Sequence, residues 1–206
     1  NTRAIAEPVG GPSTAFLAEQ ASATGAWVCG SVPEQRPGSH VPHNCLVLAG
    51  PDGTVRRYAK IHRFAYAGED EHYAAGDQRV TVELNGVRIS LFVCFDLRFA
   101  PDFWALAPDT DFYLLVANWP AARAEHWTTL LRARAIENLA YVAGINRVGP
   151  AGDGLEHSGD SRIFGPFGEI LASDSRGEEC ILTATIDADT VAQTRAKFPF
   201  LGERSD

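Results

Sequence analysis

Short apolar runs separated by Gly, Pro and Asn divide this chain into elements of strand length. The stretches 26–29, 44–48, 55–61, 80–84, 87–94, 112–117, 141–145 and 180–186 are rich in Val, Ile, Leu and aromatic residues and predict strands. Pro51-Asp52-Gly53 and Asn85-Gly86 join two pairs of them as hairpins, the second with type I′ turn chemistry. A third hairpin is expected over 161–171, folded about Gly165-Pro166-Phe167-Gly168. Helical spacing predicts helices from Pro12, with Ser13 as N-cap, near 101–107, over 125–139 and over 189–197. The third of these places Leu130, Leu131, Ala135 and Ile136 on one stripe. The stretch 62–78 has no period, and its charged and aromatic residues read as a functional loop. Helices alternate with strands while hairpins interrupt a strict βαβ order. The expectation is one α/β domain over 1–206, with a mixed sheet or two sheets covered by helices.

Composition narrows the function classes. The 206 residues are 45% hydrophobic and 21% charged, enough apolar content for a substantial core. A net charge of -8 argues against a nucleic-acid partner, because no basic stripe exists to displace counterions from phosphates. No apolar stretch is long enough to span a bilayer, so no membrane partner and a cytoplasmic location are expected. Cys29, Cys45, Cys94 and Cys180 lie far apart without a CxxC, a poor framework for disulfides or zinc, and read as reduced thiols. The six histidines are scattered and make no metal site. The chain begins at Asn1 and contains no methionine, from which a missing upstream segment is expected.

Among the thiols Cys94 stands out. It closes the apolar run Leu91-Phe92-Val93 and is followed by Phe95-Asp96-Leu97-Arg98-Phe99-Ala100-Pro101. A thiol where a buried strand turns toward a helix is held in one orientation with free backbone N–H groups nearby, which is how a nucleophile is presented. Such a nucleophile needs a base, donors for an oxyanion and an acid for the leaving group. Lys60, at the end of Tyr58-Ala59-Lys60-Ile61, and Glu69, in the aperiodic loop, are candidate partners. Asp96 and Arg98 are candidates for a local ion pair fixing the turn, Glu137 for a hydrogen bond to the catalytic loop, and Asn118 and Trp119 for a pocket wall.

Taken together, Tyr58-Ala59-Lys60-Ile61-His62, Ala75-Gly76-Asp77, Val93-Cys94-Phe95-Asp96-Leu97-Arg98-Phe99, Ala117-Asn118-Trp119-Pro120, 132–138 and Asn146-Arg147-Val148-Gly149 resemble the carbon–nitrogen hydrolase (nitrilase) superfamily. Segment 64–73, Ala117-Asn118-Trp119-Pro120 and His157-Ser158-Gly159-Asp160-Ser161 look most like its omega-amidase branch, which hydrolyses the distal amide of 2-oxo acid monoamides such as 2-oxoglutaramate. The resemblance implies a four-layer αββα sandwich lacking its first strand–helix segment, and members that pair into homodimers. It implies a Glu-Lys-Cys triad in which Cys94 matches the nucleophile, Lys60 the lysine and Glu69 a supporting glutamate. The backbone N–H of Phe95 would share the oxyanion with Lys60, Asn118 and Trp119 would face a small-molecule amide, and no metal or organic cofactor would be required.

The resemblance also places the general-base glutamate upstream of Asn1. Neither Glu7-Pro8 nor Pro33-Glu34 matches it. The chain alone is therefore expected to be inactive and less stable, with uncovered apolar surface where a strand is missing. Sibling activities on nitriles, carbamoyl amines or other aliphatic amides, and a non-catalytic remnant with an assembly role, are the alternatives.

Overall fold

The computed structural model describes residues 2–152, 154–174 and 177–204. They form two compact units, one of Asn1–Val80 with Leu91–Asp96 and one of Thr81–Ser90 with Leu97–Asp206.

The first unit opens with α1 (Thr2–Ile5), β1 (Glu7–Pro8) and α2 (Pro12–Thr24). Ser13 is not the N-cap expected from the sequence. Gly11 caps α2 and Pro12 takes the first helical turn, where a missing N–H costs no hydrogen bond. The Glu7 carboxylate instead accepts from the Ser13 N–H at 2.7 Å and the Ser13 hydroxyl at 2.6 Å, so negative charge meets the positive end of the helix. Strands β2 (Val28–Gln35), β3 (His43–Ala49) and β4 (Val55–Ala59) pair antiparallel, and β1 adds in parallel at Glu7 opposite Glu34, giving the order β1-β2-β3-β4. β2 continues well past the apolar run 26–29, because β3 offers it an unbroken ladder from Ala49 to His43. One face of the sheet packs Val32, Cys45, Val47, Ala49 and Ala59 against Leu17 and Ala21 of α2. Leu46 and Leu48 are buried on the opposite face, which makes β3 apolar without alternation.

The segment after β4 is more ordered than its aperiodic sequence suggests. It contains a 3₁₀ turn at Ala65–Ala67 and a single helical turn, α3 (Glu69–His72). It then runs beside β3, with a parallel bridge between His43 and Ala74.

In the second unit β5 (Thr81–Leu84) and β6 (Val87–Val93) form the expected hairpin, with Asn85 at φ +51° and Gly86 at φ +81°, both positive as a type I′ turn requires. β6 passes into the first unit at Leu91. Then follow α4 (Ala100–Leu106), β7 (Phe112–Ala117), α5 (Ala124–Asn138), β8 (Tyr141–Asn146), β9 (Val148–Pro150), β10 (Glu156–Ser158), β11 (Arg162–Phe164), β12 (Ile170–Ser173) and α6 (Ala188–Lys197). The larger sheet has the order β12-β11-β8-β7-β6-β5. β7 and β8 are parallel and α5 is the crossover between them, as parallel neighbours require. Trp127 and Leu131 of α5 lie so close to Gly144 of β8 that a Cβ there would come within 2.6 Å of both side chains.

Two expectations from the sequence fail in this unit. The buried stripe of α5 is Trp127, Leu131, Arg134, Ala135 and Asn138, whereas Ile136 is 44% exposed and Leu130 only half-buried. Two hydrogen-bonded polar side chains belong to the buried arc, so an apolar-only pattern rotates the predicted face. Residues 180–186, predicted as a strand, join no ladder, and Ile181 is 92% exposed. β-branched alternation describes a chain suited to a sheet, but a strand exists only where a neighbour supplies the hydrogen bonds.

Candidate active site

Leu91, Phe92 and Val93 at the end of β6 are at most 2% exposed, and the next residue, Cys94, is half-buried. Cys94 is not the last strand residue that the sequence suggested. It opens a 3₁₀ turn over Cys94–Arg98 with φ +49°, a left-handed conformation that few residues other than glycine adopt. Strain of that kind persists only where the surroundings fix it, and it turns the thiol out of a buried strand. The other thiols are poorer nucleophiles or lie elsewhere. Packing around Cys29 pushes its thiol up to about 11, burial pushes Cys45 up to about 12, and Cys180 is exposed in the second unit.

Lys60 follows β4 and is only 3% exposed. Its N–H donates to the Asn44 carbonyl at 2.9 Å and its carbonyl accepts from Gly76 at 2.8 Å, so its backbone is held from both sides. Gly76 is required for that approach, since a Cβ there would stand 2.1 Å from the Ala59 oxygen. The ammonium meets Glu69 Oε2 at 2.5 Å. Glu69 is oriented in turn, because Oε2 accepts from the Phe64 N–H at 2.6 Å and Oε1 from Asn44 Nδ2 at 3.2 Å. A buried ammonium paired with a carboxylate that is itself held by two further donors makes an ion pair that can persist in low dielectric. The structure thus brings together two of the residues singled out in the sequence.

Asp96 is fully buried. Its partner is not Arg98, as the sequence suggested. Oδ2 accepts from the Tyr58 hydroxyl at 2.8 Å and the Val93 N–H at 2.9 Å, and Oδ1 from the His62 N–H at 2.9 Å. Burial pushes the carboxyl up to about 6 against the pull of these donors and of the Lys60 charge. The Tyr58 hydroxyl also accepts from the Ile61 N–H at 3.3 Å, and its ring lies 5.9 Å from that of Phe92. Phe95, the expected oxyanion donor, packs its ring 4.8 Å from Phe64.

Within the second unit Arg98 donates to His126 Nδ1 at 3.0 Å and lies 5.0 Å over the Trp119 ring. Trp119 is 3% exposed, its ring 5.4 Å from Trp127. Its N–H and that of its indole go to Asn146 Oδ1 and the Arg123 carbonyl. Asn118, beside it, lines a cavity of about 540 Å³ with Asn146, Arg147, Ser161 and Asp174. Glu137 does not hydrogen-bond the turn after Cys94 directly. It pairs with Arg134 at 2.7 Å, and Arg134 donates from Nε and Nη2 to the Leu97 carbonyl at 3.1 and 2.8 Å. Among the described residues no group of three or more His, Cys, Asp or Glu side chains could hold a metal ion, and no helix is long and apolar enough to cross a membrane.

The carbon–nitrogen hydrolase profile matches residues 1–196, nearly the whole chain. The chain belongs to this family. This hydrolase is 48% identical over 176 residues to omega-amidase YafV of Yersinia enterocolitica, a match that covers 85% of the chain and 68% of the relative. It is 39% identical over 200 residues to the 2-oxoglutaramate amidase of Paenarthrobacter nicotinovorans, covering 92% of the chain and 67% of that enzyme. Its fold matches a CN-hydrolase superfamily protein of Xanthomonas campestris, solved with an arsenic adduct in the active site. There the TM-score is 0.90 at 41% identity, over 100% of this chain and 80% of the other. The α/β architecture expected from the sequence is therefore that of the nitrilase superfamily.

Several residues that hold the groups described above went unnoticed in the sequence of this hydrolase. Tyr58 could have been found, since it shares the Lys60 face of its strand two residues earlier. Asn44 and Arg134 give no local signal, because each acts on a group brought near by the fold. The two acidic residues rejected as bases each have a partner in the structure. Glu7 serves α2, and the fully buried Glu34 accepts from Arg57 Nε at 2.9 Å.

Proposed function

We propose that this carbon–nitrogen hydrolase is an omega-amidase, releasing ammonia from the terminal amide of small 2-oxo acid monoamides through a thioester on Cys94. The observation that carries the reading is the buried Lys60 ammonium locked on Glu69, on a segment that Asp96 ties to the turn bearing Cys94. A positive charge withheld from water and fixed in position can stabilise charge that develops on a substrate oxygen.

In this mechanism the Cys94 thiolate attacks the amide carbon, and the carbonyl electrons move to an oxyanion held by Lys60 and the Phe95 N–H. Collapse breaks the C–N bond, ammonia leaves with the proton first taken from the thiol, and the acyl group remains on sulfur. Water then adds to the thioester, releasing the acid and restoring the thiol. Losing one oxyanion donor costs roughly 2.7–4 kcal/mol of barrier, so Lys60 matters nearly as much as the thiol. Glu69 keeps the lysine aimed.

The thiol proton's acceptor is, on the family resemblance, a glutamate. A thiol nucleophile suits the reducing cytoplasm, where we place the enzyme. Its substrate class follows from the names of the omega-amidase and 2-oxoglutaramate amidase relatives. The test is ammonia release from 2-oxoglutaramate beside a panel of nitriles, carbamoyl amines and simple amides, with Cys94→Ala as control. Release from 2-oxoglutaramate, abolished by the substitution, supports the reading. Cleavage of nitriles alone moves the enzyme to a sibling branch, and equal release by parent and variant removes the thioester.

A further inference from the structure

We infer that Asp96 is a positioning residue: its carboxylate joins the segment carrying Lys60 to the turn carrying Cys94, and so sets where the ammonium stands relative to the sulfur. This rests on the amidase reading for what the spacing accomplishes, while the link itself is geometric. The three donors to Asp96 bracket both residues. The Tyr58 hydroxyl and His62 N–H come from two residues before and two after Lys60, and the Val93 N–H comes from the residue before Cys94. One side chain thereby fixes both sides of Lys60 to the base of the strained turn.

The chemistry of the side chain matters as much as its reach. An ionised carboxylate is acceptor-only and can satisfy three donors on two oxygens, whereas an asparagine in the same shape would aim an NH₂ at a donor. Asp96 is fully buried, so no bulk water can replace a lost partner. Burying a charge in a strand-to-turn junction is costly, and an apolar pair of the same volume would often be as stable. Retention of a carboxylate here is accounted for by the geometry it imposes. Its charge has a second effect, since the Lys60 ammonium and the Asp96 carboxylate attract each other.

The test compares Asp96→Asn, Tyr58→Phe and Cys94→Ala in the active protein. It measures kcat and KM with 2-oxoglutaramate and, by peptide mass spectrometry, the pH midpoint for alkylation of Cys94 by iodoacetamide. Misplacing a reacting group by an ångström costs on the order of 100-fold, so Asp96→Asn is expected to lower kcat roughly 10- to 100-fold with KM nearly unchanged. As Lys60 loosens, the alkylation midpoint should rise by about one pH unit, because a nearby positive charge favours the thiolate. Tyr58→Phe removes one hydrogen bond and should lower kcat about 2- to 10-fold with a shift of the same sign. A residue with only a structural role would alter the folded fraction and leave the midpoint of the folded protein in place. Parental kcat and midpoint in folded Asp96→Asn overturn the inference. If that variant does not fold, parental values in Tyr58→Phe overturn it. Parental ammonia release by Cys94→Ala would instead sink the amidase reading, and the alkylation midpoints would still decide whether Asp96 positions Lys60.

Discussion

The Lys60–Glu69 pair is worth most when both partners are present. Lys60 is 3% and Glu69 14% exposed, so removing the carboxylate leaves an ammonium without its hydrogen-bonded partner and with little water. Breaking a buried pair in this way typically costs about 3–5 kcal/mol, and Glu69→Ala is expected to lower the urea unfolding free energy by roughly that amount. Asp96 behaves differently with pH. Its carboxyl is raised to about 6 from 3.8, so the folded state holds the proton more tightly than the unfolded chain. That contribution to stability is complete below about pH 4 and is lost as pH rises through about 6, up to roughly 3 kcal/mol in all. The difference in unfolding free energy between parent and Asp96→Asn should accordingly shrink between pH 4 and 6 and stay level above. A difference that grows over that window would mean that the hydrogen bonds to Asp96 outweigh its burial. Cys94 and Lys60 drew attention in the sequence because they close apolar runs, and Glu69 did so through the family resemblance. The donors to Asp96 did not, because the Tyr58 hydroxyl and the His62 N–H come from a segment distant in sequence and the Val93 N–H is a backbone group.

At the scale of elements, local pattern succeeded where structure is local. β5 and β6 with their Asn85-Gly86 turn, β7, β8, the hairpin of β11 and β12, and α6, capped by Asp187, all stand close to where residue pattern places them. Pattern failed where a distant partner decides. The ends of β2 and β4 depend on β3, the buried face of α5 includes Arg134 and Asn138, and 180–186 has strand composition without a ladder. Gly76 shows the same dependence. Nothing about Ala75-Gly76-Asp77 announces a close approach, yet its backbone runs against Ala59 and holds the Lys60 carbonyl. Gly76→Ala should push this segment away from β4, destabilise the protein by about 1–3 kcal/mol and weaken turnover through Lys60. Thermal melting with steady-state kinetics checks it, and an unchanged kcat would show that Lys60 keeps its place without this contact.

For the whole molecule, the sequence led to the superfamily because its motifs occur in order along nearly the full chain, and the match over residues 1–196 agrees. Assembly is less visible in sequence, since it depends on which apolar side chains the fold leaves outside. In the second unit Ile136, Phe167 and Phe198 are 44%, 52% and 39% exposed, and Phe167 and Phe198 meet edge to face at 5.3 Å. We propose that this group forms part of a homodimer contact. Phe198→Glu should convert a dimer to a monomer in light scattering without abolishing the fold, whereas a dimer unaffected by the substitution places the contact elsewhere. Rapid quenching of the active protein with 2-oxoglutaramate, followed by intact-mass and peptide analysis, looks for the thioester itself. A transient acyl adduct is expected on the peptide containing Cys94 and not in Cys94→Ala. Steady turnover by an enzyme that is acylated on another residue would contradict the thioester on Cys94.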